Sequence, residues 1–151
     1  MHLKVKALNE LESRLNIYKR YEDQLQNAQS ARFTTKEAHD AAYKGSKATL
    51  LKIESRQLYD TVEIYDDKSL IYSCDRADKR TRITDTVINA RLAAFSPEKS
   101  TAYIKAAEQL MQSMKTRGEK PEYINDVKSL QDNAKEKSLQ LQKKKDRSIA
   151  D

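Results

Sequence analysis

Leu58-Tyr59-Asp60-Thr61-Val62-Glu63-Ile64-Tyr65-Asp66-Asp67-Lys68-Ser69-Leu70-Ile71-Tyr72-Ser73-Cys74 is the stretch on which the fold turns. It is apolar on more than one side and rich in residues that suit strands as well as helices. Read as strands, residues 61–65 and 70–72 flank a four-residue turn at 66–69 and form a β-hairpin. Read as helix, Leu51, Ser55, Leu58, Val62, Tyr65, Ser69 and Tyr72 recur alternately four and three apart, along one heptad-like seam. A third reading is a helix–helix turn at 66–69, with an Asp or Ser capping the second helix. A lone two-stranded hairpin is marginal in water, and strong helix formers flank the stretch on both sides. Helix is therefore the expectation.

The surroundings favour the same choice. Residues 46–96 hold no glycine and no proline, and the segment is closed by Gly45 and Pro97. Glycine costs about 1 kcal/mol and proline about 3 kcal/mol inside a helix, so nothing within the segment forbids propagation. Beyond the ambiguous stretch, Ile83, Val87, Ala90 and Ala94 repeat the spacing, and Ile88, Leu92 and Phe95 widen the stripe. Charge changes sign along the segment, from Asp60, Glu63, Asp66 and Asp67 to Arg76, Lys79, Arg80 and Arg82. In a straight helix these clusters lie roughly 20 to 25 Å apart, so two copies running in opposite directions would match acid to base.

Outward from there, a seam of Leu8, Leu11, Leu15, Tyr18 and Leu25, broadened by Ile17, Tyr21 and Ala28, predicts a first helix over about residues 3–30. Thr34 and Glu37 match a capping box, with Thr34 or Thr35 as the cap of a second helix. Ser96, Pro97 and Glu98 combine a capping side chain, a proline at the first helical position and an acid in the first turn. The helix they open carries Tyr103, Ala107, Leu110 and Met114 on one face and ends at Arg117 and Gly118. Pro121 opens the last helix, with Val127, Leu130, Ala134 and Leu141 in its seam. The predicted domain is residues 1–142, followed by a basic, frayed tail over 143–151.

Composition sets the class. Leu, Ile, Val and Phe make up only 29 of 151 residues, close to the level at which chains stay disordered. A net charge of +6 and two prolines argue against disorder. Ala, Glu, Lys, Leu and Arg account for 70 residues, near the signature of long helices and coiled coils. The fold expectation is all-α: an elongated antiparallel bundle or coiled coil with at least one long helix, the alternative being a helical protein with a small hairpin near 58–74.

No catalytic pattern emerges from the residues. Gly45-Ser46-Lys47-Ala48-Thr49 shares residue types with a phosphate loop, but lacks the upstream glycine and does not place lysine directly after glycine. His2 and His39 are the only histidines. Glu37 and His39, two apart, face different sides of a helix, so no metal-ligand cluster forms. Cys74 stands alone, which rules out an intrachain disulfide and reads as a half-buried thiol. No secretory signal and no membrane-length apolar run is found, so a soluble, cytoplasmic protein is expected.

The functional expectation is a non-enzymatic scaffold, adaptor or structural subunit. It would work through helix faces and self-association, with Leu51, Leu58, Val62, Tyr65, Tyr72, Ile83 and Val87 as interaction residues and no cofactor. The alternative is a nucleic-acid-binding protein that contacts phosphates through Arg76, Lys79, Arg80 and Arg82 and through Lys143, Lys144, Lys145 and Arg147. A membrane surface is disfavoured, because the polar faces carry both signs of charge.

Overall fold

The computed structural model describes residues 1–27 and 30–150. Three strands and five helices follow one another: β1 (His2–Lys6), α1 (Glu10–Gln26), α2 (Lys36–Ser55), β2 (Thr61–Tyr65), β3 (Leu70–Asp75), α3 (Ile83–Leu92), α4 (Pro97–Arg117) and α5 (Pro121–Ala150). They divide into two compact units. One comprises Met1–Glu10 and Thr34–Ala93, the other Leu11–Phe33 and Ala94–Asp151.

The first unit overturns the all-α expectation. Its sheet runs β1-β2-β3, with β1 parallel to β2 (Leu3 opposite Val62, Val5 opposite Ile64) and β2 antiparallel to β3 (Val62 opposite Cys74, Ile64 opposite Tyr72). Residues 58–74 are thus not a coiled-coil seam: β2 and β3 pair around the turn at 66–69, as in the hairpin alternative, and β1 adds a third strand from a segment expected to be helical. Val62 and Ile64 alternate into the core while their neighbours are half-covered, the period-two burial of a strand. Asp66 fixes the turn: its Oδ1 accepts from the backbone N–H of Lys68 at 2.8 Å and of Ser69 at 2.7 Å, an aspartate turn that competes directly with helix.

The expected long helix stops at Ser55 because the backbone turns left-handed at Gln57, where φ is 49°. Gln57 N–H donates to the Glu54 carbonyl at 3.2 Å and Leu58 N–H to that of Ile53 at 3.0 Å. Those two bonds define the Schellman helix end, ordinarily built on glycine. Gly45 lies inside α2. Val62, Ile64, Ile83 and Val87 are fully buried with Ala7, Leu50 and Tyr59 in the core of this unit.

In the second unit, α1, α4 and α5 bury a shared cluster of Leu11, Leu15, Tyr18, Tyr103, Ala107, Leu110, Met111, Met114, Val127, Leu130 and Ala134. Helix α1 starts at Glu10, seven residues later than the seam suggests, and Ala28 lies outside the described residues. Helix α4 has the cap its sequence announces: Ser96 Oγ accepts from Lys99 N–H at 3.1 Å, and Gly118 closes it at φ 80°. Helix α5 continues through 143–147 to Ala150, with Lys143, Lys144, Lys145 and Arg147 exposed. Glu22, buried, receives Arg117 through Nε at 3.0 Å and Nη2 at 2.8 Å, and the same guanidinium also reaches Glu119. Among the described residues, no helix is long and apolar enough to cross a membrane.

Candidate functional site

The chain leaves β1 through Ala7, whose N–H extends the ladder to the Tyr65 carbonyl at 2.7 Å. Just beyond, at the carboxyl end of this parallel strand, polar groups converge from three elements. Tyr43 of α2 donates its hydroxyl to the Leu8 carbonyl at 3.0 Å. Asn9 donates its amide to the carbonyl of Arg91, in the last turn of α3, at 3.2 Å. The Arg91 guanidinium lies over the Tyr43 ring at 4.5 Å and donates through Nη1 to Ser46 Oγ at 2.6 Å and, more weakly, to the Tyr43 carbonyl at 3.4 Å. Its Nε is shielded from solvent with no hydrogen-bond partner.

One helical turn before Tyr43, His39 stacks on that ring at 5.6 Å and 27°, the neighbour relation of positions i and i+4. His39 is only 8% exposed, and its Nδ1 is 3.0 Å from Asp40 Oδ1. A carboxylate at Nδ1 orients an imidazole for proton exchange. A guanidinium fixed on an aromatic face is a preorganised cation. The cluster therefore combines a proton-handling group, an anion-attracting group and hydroxyls at one strand end.

A second knot of polar bonds holds the start of α3. Glu54, in the last turn of α2, accepts from the Thr81 hydroxyl at 3.0 Å, from Ile83 N–H at 2.6 Å and from Thr84 N–H at 3.3 Å. Desolvation, the largest single influence, pushes this carboxyl up, but the donors from Ile83, Thr84 and Thr81 together outweigh it. Its pKa lies below the ordinary glutamate range. The role is structural, since the carboxylate replaces the side-chain cap that Arg82 does not supply.

Of the residues singled out from sequence, Val62, Ile83 and Val87 are interior, while Leu51 and Leu58 are 48% and 46% exposed. Tyr65 donates its hydroxyl to Glu63 at 2.7 Å; that of Tyr72 accepts from Arg82 N–H at 3.1 Å. Arg76 pairs with Asp60 at 3.2 Å, and Lys79, Arg80 and Arg82 are exposed. The two basic groups, 76–82 and 143–147, belong to different compact units. Cys74 is half-buried and burial raises its thiol pKa. Of this cluster, sequence reasoning weighed His39 as a metal ligand and Ser46 in a phosphate loop, and passed over Asn9, Tyr43 and Arg91 as site residues. The four-residue step from His39 to Tyr43 was readable, whereas the approach of Arg91 from 48 residues away was not. Among the described residues, no group of three or more His, Cys, Asp or Glu could hold a metal ion.

Residues 1–80 match the Zeta toxin family. No curated protein matches the chain. Members of the family are kinase-like phosphotransferases, so the match overturns the expectation of a non-enzymatic scaffold. It equally removes the coiled-coil description, since the matched region holds the whole sheet. With more than half of its 151 residues inside the match, the chain belongs to the Zeta toxin family.

Proposed function

We propose that the chain takes part in phosphoryl transfer, and that the polar cluster at the carboxyl end of β1 receives the hydroxyl-bearing acceptor. The observation that carries this reading is the family match over residues 1–80, which includes Asn9, His39, Asp40, Tyr43 and Ser46. Its location supports it further: in open α/β sheets, ligands settle in the crevice beyond the carboxyl ends of parallel strands. His39, oriented by Asp40, is suited to accept the acceptor's hydroxyl proton. Arg91 is suited to attract the anionic part of such a molecule.

The two histidines make the test direct. His2 Nδ1 sits 2.5 Å from Thr61 Oγ1 at the amino end of β1 and β2, so its ring signals serve as an internal control. Screening hydroxyl-bearing metabolites and their phosphate monoesters by proton NMR is expected to find a binder that moves the His39 ring signals and leaves those of His2 in place. Arg91→Lys, which keeps the charge but loses the planar stack, is expected to weaken that binder by roughly tenfold. A screen in which no compound moves His39 would sink the proposal.

A further inference from the structure

Phosphoryl transfer needs a donor as well as an acceptor, and for the donor the residues present do not fit. A nucleoside triphosphate is gripped by a glycine-rich strand-to-helix loop or by the free N–H groups at a helix start. The chain has two glycines. Gly45 lies inside α2 with its backbone in the helix, so Gly45-Ser46-Lys47 cannot fold around a phosphate. Gly118 closes the carboxyl end of α4, where carbonyls rather than N–H groups face outward.

The strand-to-helix position does exist, between β1 and α1, but its residues are engaged otherwise. Ala7 N–H and the Leu8 carbonyl are bonded to Tyr65 and Tyr43, and the Asn9 amide to Arg91. The helix then opens with Glu10 and Glu12. The remaining helix starts repeat that chemistry. Helix α2 has Thr35 bonded to Ala38 N–H, and Glu37 in its first turn. Helix α3 has Asp85 in its first turn, and its N–H groups at Ile83 and Thr84 are taken by Glu54. Helix α4 has the Ser96 hydroxyl and Glu98, and α5 has Glu122. Among the described residues, each helix start has a carboxylate of the chain in its first turn, which disfavours a triphosphate there.

We infer that the described residues hold no site for the triphosphate of a phosphoryl donor, and that the donor is presented to the acceptor site by a surface outside them. This rests on the phosphotransferase reading above. The test is titration of Mg·ATP into the full chain by isothermal calorimetry, with amide shifts of the five helix starts followed by NMR. The expected result is no saturable heat up to about 1 mM nucleotide and no helix start that shifts. One-to-one binding tighter than that, with shifts at any helix start, overturns the inference. Because the acceptor screen needs no nucleotide, its failure would remove the phosphotransferase reading itself, whereas tight ATP binding would remove only the claim about the donor.

Discussion

Glu54 shows how much one side chain decides. Its carboxylate joins the end of α2 to the start of α3 and satisfies the N–H groups of two residues, Ile83 and Thr84, that are themselves out of solvent. Truncation to alanine leaves those two donors unpaired, and each buried unsatisfied group costs about 1–3 kcal/mol, the low end where water can enter the space vacated. Glu54→Ala is therefore expected to lower the urea-unfolding free energy by about 2 kcal/mol. The effect depends on pH with a definite sign. The folded-state pKa is depressed, so the stabilisation is present above the unfolded-state value, near about 4.3, and is lost as pH falls through the folded value. Wild type and Glu54→Ala should converge in stability as pH is lowered from about 6 toward 3. A gap that stays constant over that range would contradict the assigned role.

At the scale of elements, two helices end in the same backbone motif with different residues. Helix α4 ends on Gly118 at φ 80°, with Gly118 N–H donating to the Lys115 carbonyl and Glu119 N–H to that of Met114. Helix α2 ends on Gln57 at φ 49° with the equivalent pair of bonds. A side chain costs roughly 1–2 kcal/mol in this left-handed conformation, and glycine escapes that cost. Thermal melts are expected to show Gln57→Gly raising stability and Gly118→Ala lowering it, each by about 1 kcal/mol. Gly45→Ala belongs in the same series. Nothing lies within 4 Å of a Cβ built there, so the helical position predicts a gain of up to about 1 kcal/mol. A loss at Gly45 would mean that the residue does not sit in an ordinary helix.

For the molecule as a whole, the buried apolar residues described fall into two core clusters with no common member. Ile64 lies fully buried in the one that contains the sheet, and Leu130 fully buried in that of α1, α4 and α5. Each truncation to alanine is expected to cost about 2–5 kcal/mol. Without shared partners, the double variant should lose the sum of the two within about 0.5 kcal/mol. Chemical denaturation of the two single variants and the double measures this, and a coupling well beyond that margin would show that the cores are not energetically separate.

What the sequence determined by itself was the helical punctuation of the second unit. Ser96-Pro97-Glu98, Gly118 and Pro121 act within a few residues of themselves, so their effect on the backbone is readable without knowing any distant neighbour. The choice of strand over helix at 61–75, the pairing of β1 and the candidate site were settled only by the tertiary structure. The stripe from Leu51 to Tyr72 fits helical spacing by count. In the folded chain it is divided by a left-handed Gln57 that no glycine announces, and Val62 and Ile64 are drawn into a strand because β1, some sixty residues upstream, lies alongside in parallel. Arg91 reaches Tyr43 and Ser46, and Asn9 reaches Arg91, only after that pairing has brought the carboxyl end of β1 beside α2 and α3. Local rules fix where a helix starts or stops. Whether an ambivalent segment becomes strand depends on a partner that local rules do not see.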